Sequence, residues 1–97
     1  MIGVGSMGGA ILAGLRAPGV ALERPIAITT RSVASAAAFD GAADVVALAA
    51  ETNADANLEA VRGAGLVILA VKPWMVIDVA REIAEALEPG AIVVSVA

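Results

Sequence analysis

Gly3, Gly5 and Gly8 constrain this chain more than any other feature, because they stand between Ile2 and the helically spaced Ile11, Leu12 and Leu15. The spacing G-x-G-x-x-G at a strand-to-helix junction meets three needs. Gly3 permits a tight turn, Gly5 lets a ligand approach the backbone, and Gly8 lets the helix pack close to a sheet. The amides that open such a helix, around Ser6 and Met7, face outward with the helix dipole behind them, which suits a phosphate group. A chain with ten glycines can also produce this spacing as a plain packing turn, so the downstream pattern decides.

That pattern alternates. The first helix stops at Pro18-Gly19. Pro25 to Thr30 is a short β-favouring run, and Ser32 is placed to cap an alanine-rich helix ending near Asp40-Gly41. Asp44 to Leu48 reads as a third strand, followed by a helix from about Asp55 to Arg62 with Leu58 and Val61 facing inward. Leu66 to Val71 is apolar on both faces, as a parallel strand covered by helices on each side should be. After Lys72-Pro73, the positions Val76, Val79, Ala80, Ile83, Ala84 and Leu87 form one helical stripe that ends at Pro89-Gly90, and Ala91 to Val96 is a fifth strand. The expected fold is therefore α/β: a Rossmann-like doubly wound parallel sheet, one domain over residues 1–97. Only Met1 and Ile2 precede Gly3, where a strand usually has about 5 or 6 residues, and the chain stops on a strand at Ala97. The domain thus reads as truncated, with neighbouring sequence missing at the C-terminus and at the N-terminus.

Composition narrows the chemistry. Hydrophobic residues make up 60% of the chain and the mean hydropathy is +0.90, yet the best apolar run, Leu66 to Val71, breaks at Lys72-Pro73, far short of the roughly 20 residues of a membrane-spanning helix. No basic segment precedes an apolar stretch at the start, so a cytoplasmic location without membrane association is expected. Cysteine and histidine are both absent, which removes the usual zinc ligands, the Ser–His and Cys–His pairs and the commonest general base; no metal site is expected. A cofactor must supply most of any chemistry. The net charge of −4 gives no broad footprint for nucleic acid.

The end of the second strand bears on which dinucleotide fits. A site for NAD normally has Asp or Glu there to accept from the ribose 2′-hydroxyl, whereas this chain has Thr30-Arg31-Ser32. A guanidinium pairs with 2′-phosphate oxygens and flanking hydroxyls donate to them, where a carboxylate would repel. NADP(H) is therefore the expected cofactor. The plainer reading is a solvated Arg31 and a Ser32 that only caps a helix; Ser32 can do both.

The chain resembles pyrroline-5-carboxylate reductases in Ile2-Gly-Val-Gly-Ser-Met-Gly-Gly-Ala-Ile11, Thr30-Arg-Ser32, Asn57, Leu69-Ala-Val-Lys-Pro73 and Val93-Val-Ser-Val-Ala97. The A-V-K-P segment and the closing V-S-V-A are more selective than the glycines. The similarity covers nearly all of this chain but only the N-terminal part of a family member. It implies that the glycine turn holds the pyrophosphate and that Thr30, Arg31 and Ser32 hold the 2′-phosphate end. Asn57, by itself only a polar residue in a helix's first turn, would contact the adenosine portion. Val71 and Lys72 would lie against the cofactor, at the carboxyl strand end where open α/β sheets bind ligands; Lys72 by itself reads equally as a surface cation. Trp74, beside a proline at a helix start, reads as a packing or docking residue. Gly65 departs from the family, which commonly has an acidic residue there, and puts local helix termination in question.

The resemblance further implies hydride transfer from NADPH to Δ1-pyrroline-5-carboxylate, giving L-proline in proline biosynthesis. Substrate-binding residues and homo-oligomer contacts would lie in a helical C-terminal domain absent from residues 1–97, so no catalytic residue is named and the chain alone is expected to be inactive. Two other readings stand beside it. One is the cofactor domain of another NADP-dependent oxidoreductase, of the β-hydroxyacid dehydrogenase or deazaflavin-dependent NADP reductase type. The other is a non-catalytic nucleotide-binding fragment.

Overall fold

The β-branched runs and alanine-rich segments sort into strands and helices as their periodicities require. The computed structural model describes residues 1–20 and 22–97, Ser6 by its backbone alone. In chain order the elements are α1 Ser6–Leu15, β1 Ile26–Thr30, α2 Val33–Ala37, β2 Val45–Ala49, α3 Ala56–Val61, β3 Leu66–Leu69, α4 Val76–Ile83 and β4 Ile92–Ser95. Single 3-10 turns, Pro73–Met75 and Ala84–Ala86, flank α4.

β1 pairs in parallel with β2, Ile26 opposite Val45, and β3 with β4, Leu66 opposite Ile92. Two residues join the pairs. The Met1 amine donates to Ala27 O at 2.6 Å and Met1 O accepts from Thr29 N at 3.0 Å, while Ile2 N donates to Ile68 O at 2.8 Å and Ile2 O accepts from Ala70 N at 2.9 Å. The order across the sheet is therefore β2, β1, the Met1–Ile2 segment, β3, β4. The first expected strand survives as this bridge. A cavity of about 520 Å³ lies at the amino edge beside it, its lining including Met1, Pro25, Ile26, Leu66 and Val67.

Period-two alternation divides the core between the two faces. Ile2, Val67 and Leu69 pack with Ala60, Val61, Val79 and Ile83 of α3 and α4. Met1, Ile28 and Val45 pack with Leu12 of α1, joined by Phe39 after α2, by Ile68 of β3 and by Ala70 just after it. Helices thus cover both faces of a parallel sheet, the doubly wound arrangement expected.

Element boundaries differ from the sequence reading for local reasons. The helix capped by Ser32 ends at Ala37, not near Asp40, because Phe39 and Asp40 donate to Ala36 and Ala37 and tighten the chain into turns. In α3 the buried residues are Ala56, Ala60 and Val61; Leu58 is half-buried at the α3–α4 groove. In α4 the expected stripe holds through Ile83, but Ala84 is exposed, since the 3-10 turn starting there changes the angular phase. α3 ends before Gly63, whose φ of +75° reverses the chain, so the terminating glycine is Gly63 and Gly65 is not needed for it. β4 is exposed along its whole length, Ile92 to 62%.

Candidate functional site

In a parallel sheet every helix that follows a strand starts at the carboxyl edge, and the crevice there is where ligands bind. The glycine turn lies at this edge. Gly3 has φ +76°, and a Cβ on it would lie 2.9 Å from Val71 Cγ1 and 3.4 Å from Ala70 O. A Cβ on Gly8 would lie 2.9 Å from Gly3 O and 3.0 Å from the Ala70 methyl. These two glycines are therefore demanded by packing of turn, helix and β3. Gly5 is different: a Cβ there would meet nothing within 4 Å. It opens α1, and among the described residues no side chain caps that end and no acidic residue stands in the first turn. The amides at Ser6, Met7 and Gly8 are thus left to an outside acceptor beside an unobstructed backbone, which fits a pyrophosphate.

The second pole is the loop after β1. Thr30 is 5% exposed and its hydroxyl donates to Ser32 O at 2.9 Å, so it shapes the loop from inside. Ser32 caps α2: its Oγ accepts from Ser35 N at 3.1 Å and meets Ser35 Oγ at 3.0 Å. Arg31 lies between them, exposed, its carbonyl accepting from Glu51 N at 3.0 Å. Among the described residues its guanidinium meets no carboxylate, whereas Arg16 pairs with Asp44 through Nε–Oδ2 at 2.8 Å and Nη2–Oδ1 at 3.1 Å. That pairing holds the Asp44 carboxyl below its ordinary pKa, by the hydrogen bond first. A free guanidinium on a loop fixed by Thr30 and Ser32 fits a 2′-phosphate.

Of the remaining predicted residues, Val71 and Lys72 follow β3 at this edge. Val71 is half-buried against the Gly3 turn, and Lys72 is exposed, its carbonyl accepting from Met75 N at 2.9 Å. Asn57, in the first turn of α3, donates from Nδ2 to Glu82 Oε1 near the end of α4 at 2.9 Å, which leaves its second Nδ2 hydrogen and its Oδ1 for other partners. Trp74 is 76% exposed and packs little within the domain. The sequence reading missed Thr29. Its Oγ1 accepts the Gly3 amide at 3.0 Å while the residue itself is only 3% exposed. The available signal was a β-branched hydroxyl residue one position before the predicted phosphate loop.

A family model described as NADP oxidoreductase coenzyme F420-dependent matches residues 1–97. No curated protein and no solved structure matches the chain. Among the described residues no helix is long and apolar enough to cross a membrane.

Proposed function

The chain belongs to the coenzyme F420-dependent NADP oxidoreductase family, and from that premise we propose that it is the cofactor domain of a pyrroline-5-carboxylate reductase. It is an NADP-binding domain of an NADP-dependent oxidoreductase; the finer reading concerns its substrate. The observation that carries it is where the segment most selective for that enzyme lies: Val71 of Ala70-Val-Lys-Pro73 abuts the Gly3 turn, its Cγ1 at 2.9 Å from the position of an added Cβ.

In this reading the amides at Ser6, Met7 and Gly8 hold the pyrophosphate, with Gly3 and Gly5 shaping the turn. Arg31 and the Ser32 loop, fixed by Thr30, hold the 2′-phosphate, Asn57 meets the adenosine portion, and Val71 and Lys72 lie against the cofactor. When bound, NADPH supplies the hydride that reduces the C=N carbon of protonated Δ1-pyrroline-5-carboxylate to L-proline and leaves as NADP⁺. The chain's own contribution is orientation, holding the dinucleotide at both phosphate poles so that the ring presents one face to the imine. Substrate-binding residues and homo-oligomer contacts would come from a helical segment other than residues 1–97.

The description of the matching family favours a second reading, in which the hydride passes between NADP(H) and a deazaflavin. One assay separates the two. A protein carrying this domain is given NADPH with pyrroline-5-carboxylate, and separately with oxidised coenzyme F420; turnover of the imine alone is expected. Turnover of the deazaflavin alone would replace the first reading with the second. Titration of the chain with NADPH and NADH should give tighter NADPH binding, and the reverse order would overturn the assignment of Arg31.

A further inference from the structure

Adjacent residues of a strand point to opposite faces, and the last two of β1 carry hydroxyls that do different jobs. Thr29 Oγ1 accepts the Gly3 amide at 3.0 Å, and its own amide donates to Met1 O at 3.0 Å, so this one residue grips the chain on both sides of Ile2. Thr30 Oγ1 donates to Ser32 O at 2.9 Å. Both residues are buried, at 3% and 5% exposure, so neither hydroxyl is a surface group available to a passing ligand. With φ at +76° Gly3 takes a conformation open to glycine, beside Val71 on the β3 side, and among the described residues its N–H donates to the Thr29 hydroxyl on the β1 side.

We propose that Thr29 is a positioning residue for the pyrophosphate turn and Thr30 for the 2′-phosphate loop, so that two neighbouring hydroxyls set the two phosphate poles separately. The inference rests on the NADP-binding reading above and adds a division of labour to it. The pyrophosphate is common to NADPH and NADH, whereas the 2′-phosphate belongs to NADPH alone. Loosening the turn therefore weakens both cofactors alike, and loosening the loop weakens only NADPH.

The chain carrying Thr29→Val, Thr29→Ser or Thr30→Val is titrated with NADPH and with NADH, and exchange of the Gly3 amide is followed by NMR without ligand. Valine keeps the branch and β preference but removes the acceptor, leaving the Gly3 N–H without its partner. Thr29→Val should weaken both dinucleotides by about tenfold and speed Gly3 exchange, Thr29→Ser should restore both, and Thr30→Val should weaken NADPH by about tenfold with NADH unchanged. A folded Thr29→Val that binds as the unsubstituted chain does, or a serine that restores nothing, would overturn the role of Thr29. Equal losses of both cofactors in Thr30→Val would overturn the division. If Thr29→Val does not fold, the serine variant decides: Gly3 exchange and affinities must match the unsubstituted chain. Binding of neither dinucleotide by the unsubstituted chain would overturn both this proposal and the function it rests on.

Discussion

The two edges of the sheet use the same residue types to opposite ends. At the amino edge Arg16 is locked onto Asp44 over the Phe39 ring, 5.7 Å from its centroid, and Arg24 donates to Gly63 O at 2.5 Å. Both arginines close the structure on itself. At the carboxyl edge Arg31 meets no carboxylate among the described residues, the start of α1 has no side-chain cap, and Gly5 borders open space. Behind these groups stand two buried threonines, Thr29 bonded to the Gly3 amide and Thr30 to Ser32 O. The contrast separates an edge whose arginines are spent on the fold from one whose guanidinium and amides are left open to an anion, in a chain whose net charge of −4 would otherwise discourage one.

The sharpest way to break this contrast is Gly3→Val. It forces a β-branched residue into the left-handed region and onto Val71, and roughly 3 kcal/mol or more of stability should be lost in urea unfolding. A variant as stable as the parent would mean that the turn is not clamped. Arg31→Ala comes next. NADPH affinity should fall about tenfold to a hundredfold, as for a lost charge-assisted hydrogen bond, while NADH affinity and melting temperature stay put. Equal losses for the two cofactors would put the guanidinium elsewhere.

For the polypeptide of residues 1–97 with a free Met1 amine, the amino edge makes its own prediction, because burial lowers the pKa of that amine from 8.0 to about 6. Between these values the unfolded chain binds the proton and the folded chain does not, so stability should rise as pH goes from about 6 to about 8. The gain is on the order of 2 kcal/mol, measurable as the midpoint of urea unfolding, and N-terminal acetylation should flatten the profile. A flat profile in the unmodified chain would show that water reaches the amine. The smallest effect belongs to Arg16→Ala. The exposed pair with Asp44 should leave NADPH binding unchanged and lower the melting temperature slightly. That difference should vanish as pH falls through the lowered pKa of Asp44, because protonation removes the carboxylate partner in the parent as well.

Much of the fold was legible in the sequence where local physics and tertiary packing ask for the same thing. Gly3 and Gly8 are demanded by turn and packing alike, Ser32 caps its helix as a serine before an alanine run should, and the apolar run from Leu66 is a strand. The reading slipped where neighbours decide. Ala84 fits a helical stripe, but the 3-10 turn moves it into solvent. Leu58 looks more core-like than Ala56, yet the close approach of α3 to the sheet buries the small residue and leaves the large one half-buried. Thr30 was read, like Ser32, as a hydroxyl flanking Arg31 that donates to the phosphate; its burial and its bond to Ser32 O add a part in shaping the loop.

The amino-acid sequence by itself determined the alternation of elements, the strand-to-helix glycine turn and the replacement of a carboxylate by Thr30-Arg31-Ser32 at the end of β1. These depend on periodicity, backbone freedom and charge, which are properties of residues and their spacing. Only the tertiary structure decided which polar groups are already spent. Arg16 and Arg31 are the same side chain in one dimension, and Thr29 and Thr30 the same hydroxyl. What separates them is the partner that folding brings within about 3 Å, the reach of a hydrogen bond.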